Sequence, residues 1–210
     1  TMPLENNDLF FLAEFTADAE KICPRGLLRR VLGRAESMGL KALAGFEYEF
    51  FVFNESAESV REKAYQNLNA MAPAEFGYSV IRNSVHDETY HNILKLSEQM
   101  DFPLEGLHEE TGPGVLEAAI SYDDALEAAD KASLFKTFTK IAMQKENKMA
   151  TFMARWNDEL PGQSGHIHLS LTDLEGQALF HDASQPHEMS ELMQHFVAGQ
   201  QQLMPELLAM

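Results

Sequence analysis

The sequence predicts an α+β fold with a largely antiparallel sheet flanked by long helices. One observation is that short apolar segments are joined by turn signals, most clearly residues 104–110 and 115–121, which flank the Gly- and Pro-containing segment 111–114. The other is that long segments with apolar residues at helical spacing separate the strands, the longest being 123–147. Because the chain contains no repeat, low-complexity tract or linker, we expect residues 1–210 to be part of one domain.

The other elements are predicted from the same kinds of signal. The apolar run 9–15 predicts a buried strand, and Pro24 opens a helical pattern for which Gly39 is a suitable end. Residues 40–53 are strongly apolar and aromatic and predict a strand, whereas 64–71 predicts a short helix. The remaining predicted elements are a helix over 87–100, strands over 149–155 and 165–172, and a final helix over 187–210.

The charge balance limits the classes of partner. The 210 residues include 16 Lys and Arg against 33 Asp and Glu, which gives a formal net charge of -17. A nucleic-acid-binding protein needs a cationic face to displace counterions from phosphates, so nucleic acid is not an expected partner. Docking on an anionic membrane is disfavoured for the same reason.

The single cysteine, Cys23, cannot form a disulfide within the chain, which suits a reducing compartment. No stretch approaches the length of a transmembrane helix, and the first residues lack a basic region followed by an apolar one. The sequence therefore predicts a cytoplasmic protein with no membrane partner.

Two glutamates interrupt the apolar strand predicted over 40–53. Glu47 and Glu49 are two residues apart, so on a strand their side chains project from the same face. Two carboxylates on a buried face repel each other and lose hydration, and a cation beside them removes both penalties. The alternative is that this face is exposed to water, and this motif alone leaves both interpretations open.

A second acidic group lies around the predicted turn at 111–114. Glu109 and Glu117 stand on opposite arms of that turn, and if the arms pair, both carboxylates can point into one site. Glu110, the neighbour of Glu109, is then expected to face away. The alternatives are a hairpin-rim residue for Glu109 and a carboxylate at a helix start for Glu117.

The third group follows a Gly-rich turn. His166 and His168 share one face of the strand predicted over 165–172, and Ser170 continues that face. A lone histidine is more often a core or surface residue than a ligand, but two on one face favour a site.

Together the three groups supply carboxylates and imidazoles from strand positions. Oxygen-rich sites with an occasional imidazole suit Mg²⁺ or Mn²⁺ better than Zn²⁺. Two such cations side by side would offset the acidic balance and bind a polyphosphate. The sequence has no Walker-type Gly-x-x-x-x-Gly-Lys motif, which argues against a P-loop nucleotide site.

In these segments the chain resembles the glutamine synthetase family. The likeness runs from about residue 9 to residue 210, and five motifs occur in the family's order and close to its spacing. The motifs are Gly45–Phe50, His108–Glu117 with its Gly112-Pro113-Gly114 turn, Ala129–Lys131, Ala150–Ala154 and Gly165–Ser170. The resemblance implies the α+β fold of that family's catalytic domain.

The resemblance also implies a site with two divalent metals, Mg²⁺ or Mn²⁺. Glu49, Glu109 and Glu117 match the ligands of the metal on the glutamate side. Glu47 and His166 match ligands of the metal on the nucleotide phosphates.

Other positions match substrate contacts of the family. His168 and Ser170 match residues that touch ATP, and Gly162 falls in the loop whose backbone meets the amino acid substrate. The implied reaction is attack of the glutamate γ-carboxylate on the terminal phosphate of ATP, followed by capture of the acyl phosphate by ammonia or an amine. The implied partners are these small molecules and further copies of the full-length protein in a homo-oligomer.

The chain also departs from the family pattern. Pro161 stands where glutamine-forming members usually carry Asn, and proline offers neither a side-chain amide nor an N–H donor. This substitution resembles the branch that joins glutamate to amines or polyamines. Trp156 and Asn157 replace a common Lys-Pro pair.

The resemblance implies further segments beyond this sequence. They are the N-terminal small domain and a C-terminal part of the catalytic domain that carries the arginine cluster, the last metal ligand and the flap glutamate. No catalytic residue is therefore assigned within residues 1–210, and this chain alone is expected to be inactive. Two other functions remain: an inactive structural or regulatory relative, and a two-metal phosphohydrolase that uses the same carboxylates.

Overall fold

A computed structural model describes residues 9–72 and 77–208, and it confirms the predicted α+β class. Its five strands form one sheet, in which β1 pairs with both β4 and β5 and the main path runs β2-β3-β1-β4. The strands are β1 (Lys41–Phe53), β2 (Leu104–Glu109), β3 (Val115–Asp124), β4 (Met149–Thr151) and β5 (Gly165–Thr172).

Seven α-helices are described, and two short 3-10 helices lie at Ala17–Ile22 and Pro186–Glu188. None of them is long and apolar enough to cross a membrane, within the described residues. The α-helices are α1 (Pro24–Ser37), α2 (Ala57–Glu62), α3 (Val80–Val85), α4 (Asp87–Gln99), α5 (Ala125–Lys145), α6 (Glu191–Gln202) and α7 (Met204–Leu207).

The predicted hairpin is present, and its pairing is antiparallel. His108 lies opposite Glu117 and Glu109 lies opposite Leu116. Strand β1 pairs antiparallel with β4 at its far end, where Phe51 lies opposite Thr151. At Gly114 the backbone has a φ of 68°, and an added Cβ would lie 2.6 Å from the Val52 carbonyl oxygen. Only glycine fits this turn, which fixes the hairpin tip against β1.

Alternation along β1 separates two apolar clusters. Phe50 and Val52 belong to the larger core cluster, which also contains residues of α4, β3 and α5. Phe51 and Phe53, on the other face, form a smaller cluster with Val115. Glu47 and Glu49 have the same parity as Phe51, so the carboxylates share a face with the smaller cluster and not with the main core.

The chain divides into two compact units. Of the described residues, the first contains 9–13, 45–72, 77–123 and 127–168, and therefore most of the sheet together with helices α2–α4. The second contains 14–44, 124–126 and 169–208, and therefore helices α1, α6 and α7.

The strand predicted over 9–15 is wrong. These residues have no regular secondary structure, and Leu9 and Phe11 are 77% and 78% exposed. Phe10 packs edge-to-face on Phe138, with ring centroids 6.2 Å apart. An apolar run predicts burial, but without a partner strand it does not form a ladder.

The helix predicted over 64–71 is also wrong. Ala64, Tyr65 and Asn67 have positive φ angles, which interrupt a right-handed helix. The helix lies earlier, at α2, where Ser56 and Ser59 form a reciprocal capping box.

Two C-terminal elements are shorter than predicted. The strand expected over 149–155 ends at Thr151. The final helix begins at Glu191, because Ser190 caps it by accepting a hydrogen bond from the Met193 amide. It breaks before α7, where Pro205 lies in the first turn.

A buried carboxylate stabilises the segment that follows β1. Glu55 is 3% exposed and accepts hydrogen bonds from the Ser59 hydroxyl at 2.6 Å and the Asn69 amide at 2.8 Å, and it pairs with Lys63. The Lys63 ammonium, with the Ser59 and Asn69 donors, lowers the pKa of Glu55 to about 2.

This pair predicts an acid-sensitive contribution to stability. Because the folded pKa is below the unfolded value, the contribution is complete above the ordinary pKa of 4.5 and is lost as the pH falls from there towards 2. We expect Glu55→Gln to reduce the slope of the urea midpoint against pH in this range. An unchanged slope would show that Glu55 ionises normally in the folded protein.

Candidate functional site

The candidate site is built first from neighbouring strands β1 and β5. His166 Nδ1 lies 2.8 Å from Glu47 Oε2, and His168 Nε2 lies 3.1 Å from Glu47 Oε1. Both imidazoles therefore contact the same carboxylate, as their shared face predicts. Gly165 permits this approach, since a Cβ there would lie 2.6 Å from the Glu47 carbonyl oxygen.

Glu49 lies next along the same face and is held by the segment before β5. The Ser164 amide donates to Glu49 Oε2 at 2.8 Å, and the Ser164 hydroxyl donates to Oε1 at 3.3 Å. Ser164 was not predicted from the sequence as a site residue, although its position directly before the Gly-His-x-His strand could have indicated it.

The hairpin contributes a second set of side chains. His108 Nε2 lies 3.8 Å from Glu117 Oε2, and His108 Nδ1 lies 3.9 Å from Glu110 Oε1. One imidazole therefore stands between two carboxylates on the same face of the hairpin.

The two sets converge. Ligand atoms of Glu47, Glu117 and His166 all lie within 4.8 Å of one another, and so do those of His108, Glu110 and Glu117. Glu117 belongs to both groups and joins the hairpin to β1 and β5.

The predicted orientation of the hairpin glutamates is wrong. Cross-strand pairs share a face, and Glu109 pairs with Leu116, so Glu109 faces away from Glu117 and Glu110 faces towards it. Glu109 is 3% exposed, and neither of its carboxylate oxygens has a hydrogen-bond partner of normal geometry among the described residues. Its assignment as a metal ligand stays a prediction.

Burial raises the pKa of Glu109 above its ordinary value, although the Arg82 charge and the Ser79 backbone act in the opposite direction. Burial also raises the pKa of Glu117, and the charges of Glu110, Glu47 and Glu49 add to that effect against His108. The cluster thus carries more negative charge than its imidazoles compensate.

The pKa of Glu47 is shifted in the opposite direction to those of Glu109 and Glu117. Burial alone would raise its pKa, but hydrogen bonds from His168 and His166 lower it below the ordinary value. In return, the hydrogen bond to Glu47 raises the pKa of His166. This carboxylate is therefore ionised at neutral pH and available to a cation.

These residues fit a divalent metal. Convergent carboxylates with one imidazole are a donor set suited to Mg²⁺ or Mn²⁺. Burial raises the pKa of Glu117, and neighbouring carboxylates raise it further, so a cation there would favour the ionised form. Glu47, Glu117 and His166, with Glu49 beside them, would supply the ligands for such cations.

The loop before β5 carries another predicted residue, Gly162. A Cβ at Gly162 would lie 2.8 Å from the Ala154 carbonyl oxygen, so the loop needs glycine there. Arg155, which sequence reasoning missed, organises this loop by donating to the carbonyl oxygens of Asn157, Asp158 and Leu160. Ser170 continues β5 beyond His168 and lies in the second compact unit.

An open cavity of about 300 Å³ adjoins Glu47, Glu49 and His166. Lys136 also lines it, with its ammonium 5.6 Å from the Tyr48 ring centroid and 5.4 Å from that of Phe152. Lys136 was not predicted as part of the site, because helical spacing does not show which aromatic rings lie beside a helix.

The Glu47–His166 pair predicts a measurable titration. Because Glu47 favours the imidazolium, we expect His166 in metal-free protein to titrate above 6.5 in a proton NMR pH series. Glu47→Gln should move the midpoint back towards 6.5. A midpoint at or below 6.5 in the unaltered protein would contradict the contact.

Comparison with known proteins agrees with this fold. The family model described as "Glutamine synthetase, catalytic domain" matches residues 21–210. The chain is 40% identical over 212 aligned positions to type-1 glutamine synthetase 2 of Dictyostelium discoideum, covering 99% of this chain and 40% of that protein. It is 36% identical to a glutamate–isopropylamine ligase of a Pseudomonas species, covering 90% of this chain and 41% of that protein.

Solved structures show the same fold. A crystal structure described as a novel glutamine synthase homolog superposes with a TM-score of 0.72 at 24% identity, covering 84% of this chain and 38% of that one. The fold and the family match together identify this chain as part of a catalytic domain of the glutamine synthetase type. The chain belongs to the glutamine synthetase family. It spans about 40% of the length of the curated relatives it matches.

Proposed function

We propose that residues 1–210 are part of one glutamine synthetase-like catalytic domain whose protein is an ATP-dependent ligase. It joins the γ-carboxylate of glutamate to ammonia or an amine. The observation that carries this proposal is the convergence of Glu47, Glu117 and His166 within 4.8 Å of one another, with Glu49 on the same face. Family membership supports the reaction class.

The chemistry proceeds in two balanced steps. A γ-carboxylate oxygen of glutamate attacks the terminal phosphorus of ATP, and the bond to ADP breaks to leave an acyl phosphate and ADP. The amine nitrogen then attacks the acyl carbon, phosphate leaves with the transferred oxygen, and the nitrogen loses a proton. No Ser or Cys nucleophile is required, since the substrate carboxylate is itself the nucleophile.

Each group in the cluster has a proposed role. Two divalent metals, Mg²⁺ or Mn²⁺, would supply charge compensation between the carboxylate and the phosphates. Glu47 and His166 would hold the cation on the nucleotide side, while Glu49 and Glu117 hold the one on the glutamate side. His168, which contacts Glu47, is proposed to touch ATP as well. Ser170 and Gly162 keep their proposed contacts with ATP and the amino acid.

The amine acceptor is proposed from the relatives and from the loop. One relative is named for isopropylamine, and Pro161 removes the amide and N–H that glutamine-forming members usually offer. An amine larger than ammonia is therefore the preferred acceptor. We further propose that the protein acts in the cytoplasm as a homo-oligomer.

The test measures the turnover of a panel of amine substrates by the full-length protein. With Mg²⁺, ATP and glutamate present, ADP release is measured with ammonia, methylamine, isopropylamine, putrescine or no amine. Amine-dependent release is the expected result. Release that ignores the amine would indicate a phosphohydrolase, and no release with intact metal binding would indicate an inactive relative.

A further inference from the structure

Trp156, one of the departures from the family pattern, lies in the long loop between β4 and β5. Residues 152–164, which form this loop, have no regular secondary structure. The Trp156 ring meets Phe53 edge-to-face with centroids 5.0 Å apart, and it meets Phe51 in the same manner at 6.5 Å. Trp156 therefore attaches the loop to the smaller apolar cluster on β1.

Other contacts shape the loop from within. The three carbonyl oxygens that accept hydrogen bonds from Arg155 all belong to the loop itself. The Gln163 amide donates to the Ala154 carbonyl oxygen at 2.8 Å, which closes the base of the loop. Because these bonds join one part of the loop to another, they do not determine where it lies on β1. That position depends on contacts such as the one made by the Trp156 ring.

Trp156 and Ser164 contact the same face of β1 at neighbouring positions. Phe51 and Phe53 share the face of Glu49, because alternate residues of a strand project from one face. Ser164, the last residue of the loop, donates to Glu49 from its amide at 2.8 Å and from its hydroxyl at 3.3 Å. Since alternate residues are only about 7 Å apart along a strand, a shift of the ring moves the donors that orient Glu49.

The attachment is made by the aromatic ring of Trp156 and not by its indole N–H. The Nε1 atom is buried and has no hydrogen-bond partner within residues 9–72 and 77–208. Edge-to-face aromatic pairs stabilise a contact beyond the area that they bury. Phenylalanine at this position can therefore keep the attachment, since it loses no hydrogen bond, whereas alanine removes the attachment.

We propose that Trp156 is a positioning residue, which keeps the Ser164 donors on Glu49 by fixing the loop on the apolar cluster of β1. The consequence for metal binding rests on the proposed ligase function, in which Glu49 holds the cation on the glutamate side. A partner that orients a metal-ligating carboxylate raises metal affinity, because the ligand is already in the required geometry before the metal binds. Trp156 acts through Ser164 and Glu49, without contact with the substrate.

The first test follows the Ser164 amide in the full-length, metal-free protein. We expect Trp156→Ala to speed hydrogen exchange of this amide by about tenfold, because its bond to Glu49 opens more often. Mass spectrometry with residue-level fragmentation measures the rate. Trp156→Phe, which keeps a ring on β1, should retain most of the protection. The matched control is Leu68→Ala, since Leu68 packs against the same apolar cluster but lies outside the loop.

The second test measures Mn²⁺ binding by electron paramagnetic resonance and the dependence of kcat on the Mn²⁺ concentration. We expect Trp156→Ala to weaken Mn²⁺ binding by about tenfold, as for loss of a partner that orients a metal ligand. The kcat at saturating Mn²⁺ should recover, because added metal compensates for a weaker site. Leu68→Ala should leave the Mn²⁺ affinity unchanged, whereas a merely structural role of Trp156 would lower the urea midpoint of both variants without separating their affinities.

The inference is overturned if Trp156→Ala leaves the exchange rate of the Ser164 amide unchanged, or if Leu68→Ala speeds it equally. Unchanged Mn²⁺ affinity in Trp156→Ala also overturns it, because Ser164 would then not orient a metal ligand. If both tests give the expected results but the unaltered protein turns over no amine, the proposed function fails and the positioning role of Trp156 stands.

Discussion

Replacing Glu117 by glutamine is expected to weaken Mn²⁺ binding by at least about 100-fold. Glu117 lies in both convergent groups and is the residue that joins the hairpin to β1 and β5. Loss of an outer partner of a metal ligand already costs about 10- to 100-fold, so loss of a ligand charge should cost at least as much. Electron paramagnetic resonance of free Mn²⁺ in a titration measures the change.

The same substitution should leave the metal-free fold at least as stable. Burial raises the pKa of Glu117, and repulsion from Glu110, Glu47 and Glu49 raises it further, so a neutral glutamine removes a penalty. Glu105→Gln is the matched control, since Glu105 is an exposed glutamate on β2 outside both groups. Equal Mn²⁺ affinity in both variants would contradict the placement of the cation.

The largest effect on stability is expected from Phe50→Ala. Phe50 is fully buried, stacks on Phe152 with centroids 5.0 Å apart and meets Phe135 edge-to-face at 6.1 Å. Removing such a ring from a packed core costs about 3–5 kcal/mol, which includes the cavity left behind. Urea unfolding followed by circular dichroism measures the loss.

Phe50→Leu provides the graded comparison, because it keeps an apolar side chain of lower volume. We expect a smaller loss than with alanine, since less of the cavity remains. Phe50 is next to Glu49 on β1 but on the opposite face, so metal binding should weaken only as far as the strand itself loosens. A loss below 1 kcal/mol in Phe50→Ala would show that this face is not packed as described.

The strand positions of the site followed from the sequence. Glu47 and Glu49 interrupt a strongly apolar run, which predicted a strand with both carboxylates on one face. The structure has this strand as β1, and both glutamates project from the same face. His166 and His168 follow a glycine turn with the same spacing, and both contact Glu47. A period of two residues determines which side chains share a face once an element is known to be a strand.

The orientation of the hairpin glutamates could not be predicted from the sequence. Whether Glu109 or Glu110 faces Glu117 depends on the register of the pairing, and a shift of one residue exchanges the two. The Gly-Pro turn at 112–114 predicts a hairpin but does not determine the register of its strands. That register depends on packing around the tip, such as the close approach of Gly114 to the Val52 carbonyl.

Contacts made by irregular segments were also beyond prediction. Ser164 and Arg155 lie outside the regular strands. Ser164 contacts Glu49, which is distant in sequence, and Arg155 contacts carbonyl oxygens of its own loop. No regular spacing in the sequence links residues of irregular segments to the site. Lys136 was missed for a related reason, since the rings near it come from Tyr48 on β1 and from Phe152, which directly follows β4.

The proposed function requires that the glutamate γ-carboxylate attack ATP at this cluster. It is tested most directly by supplying glutamate labelled with ¹⁸O in the γ-carboxylate, together with ATP, Mg²⁺ and the best amine of the panel. We expect one ¹⁸O atom per turnover to appear in the released inorganic phosphate, as measured by mass spectrometry. Phosphate that carries oxygen only from ATP and water would contradict it and indicate direct hydrolysis.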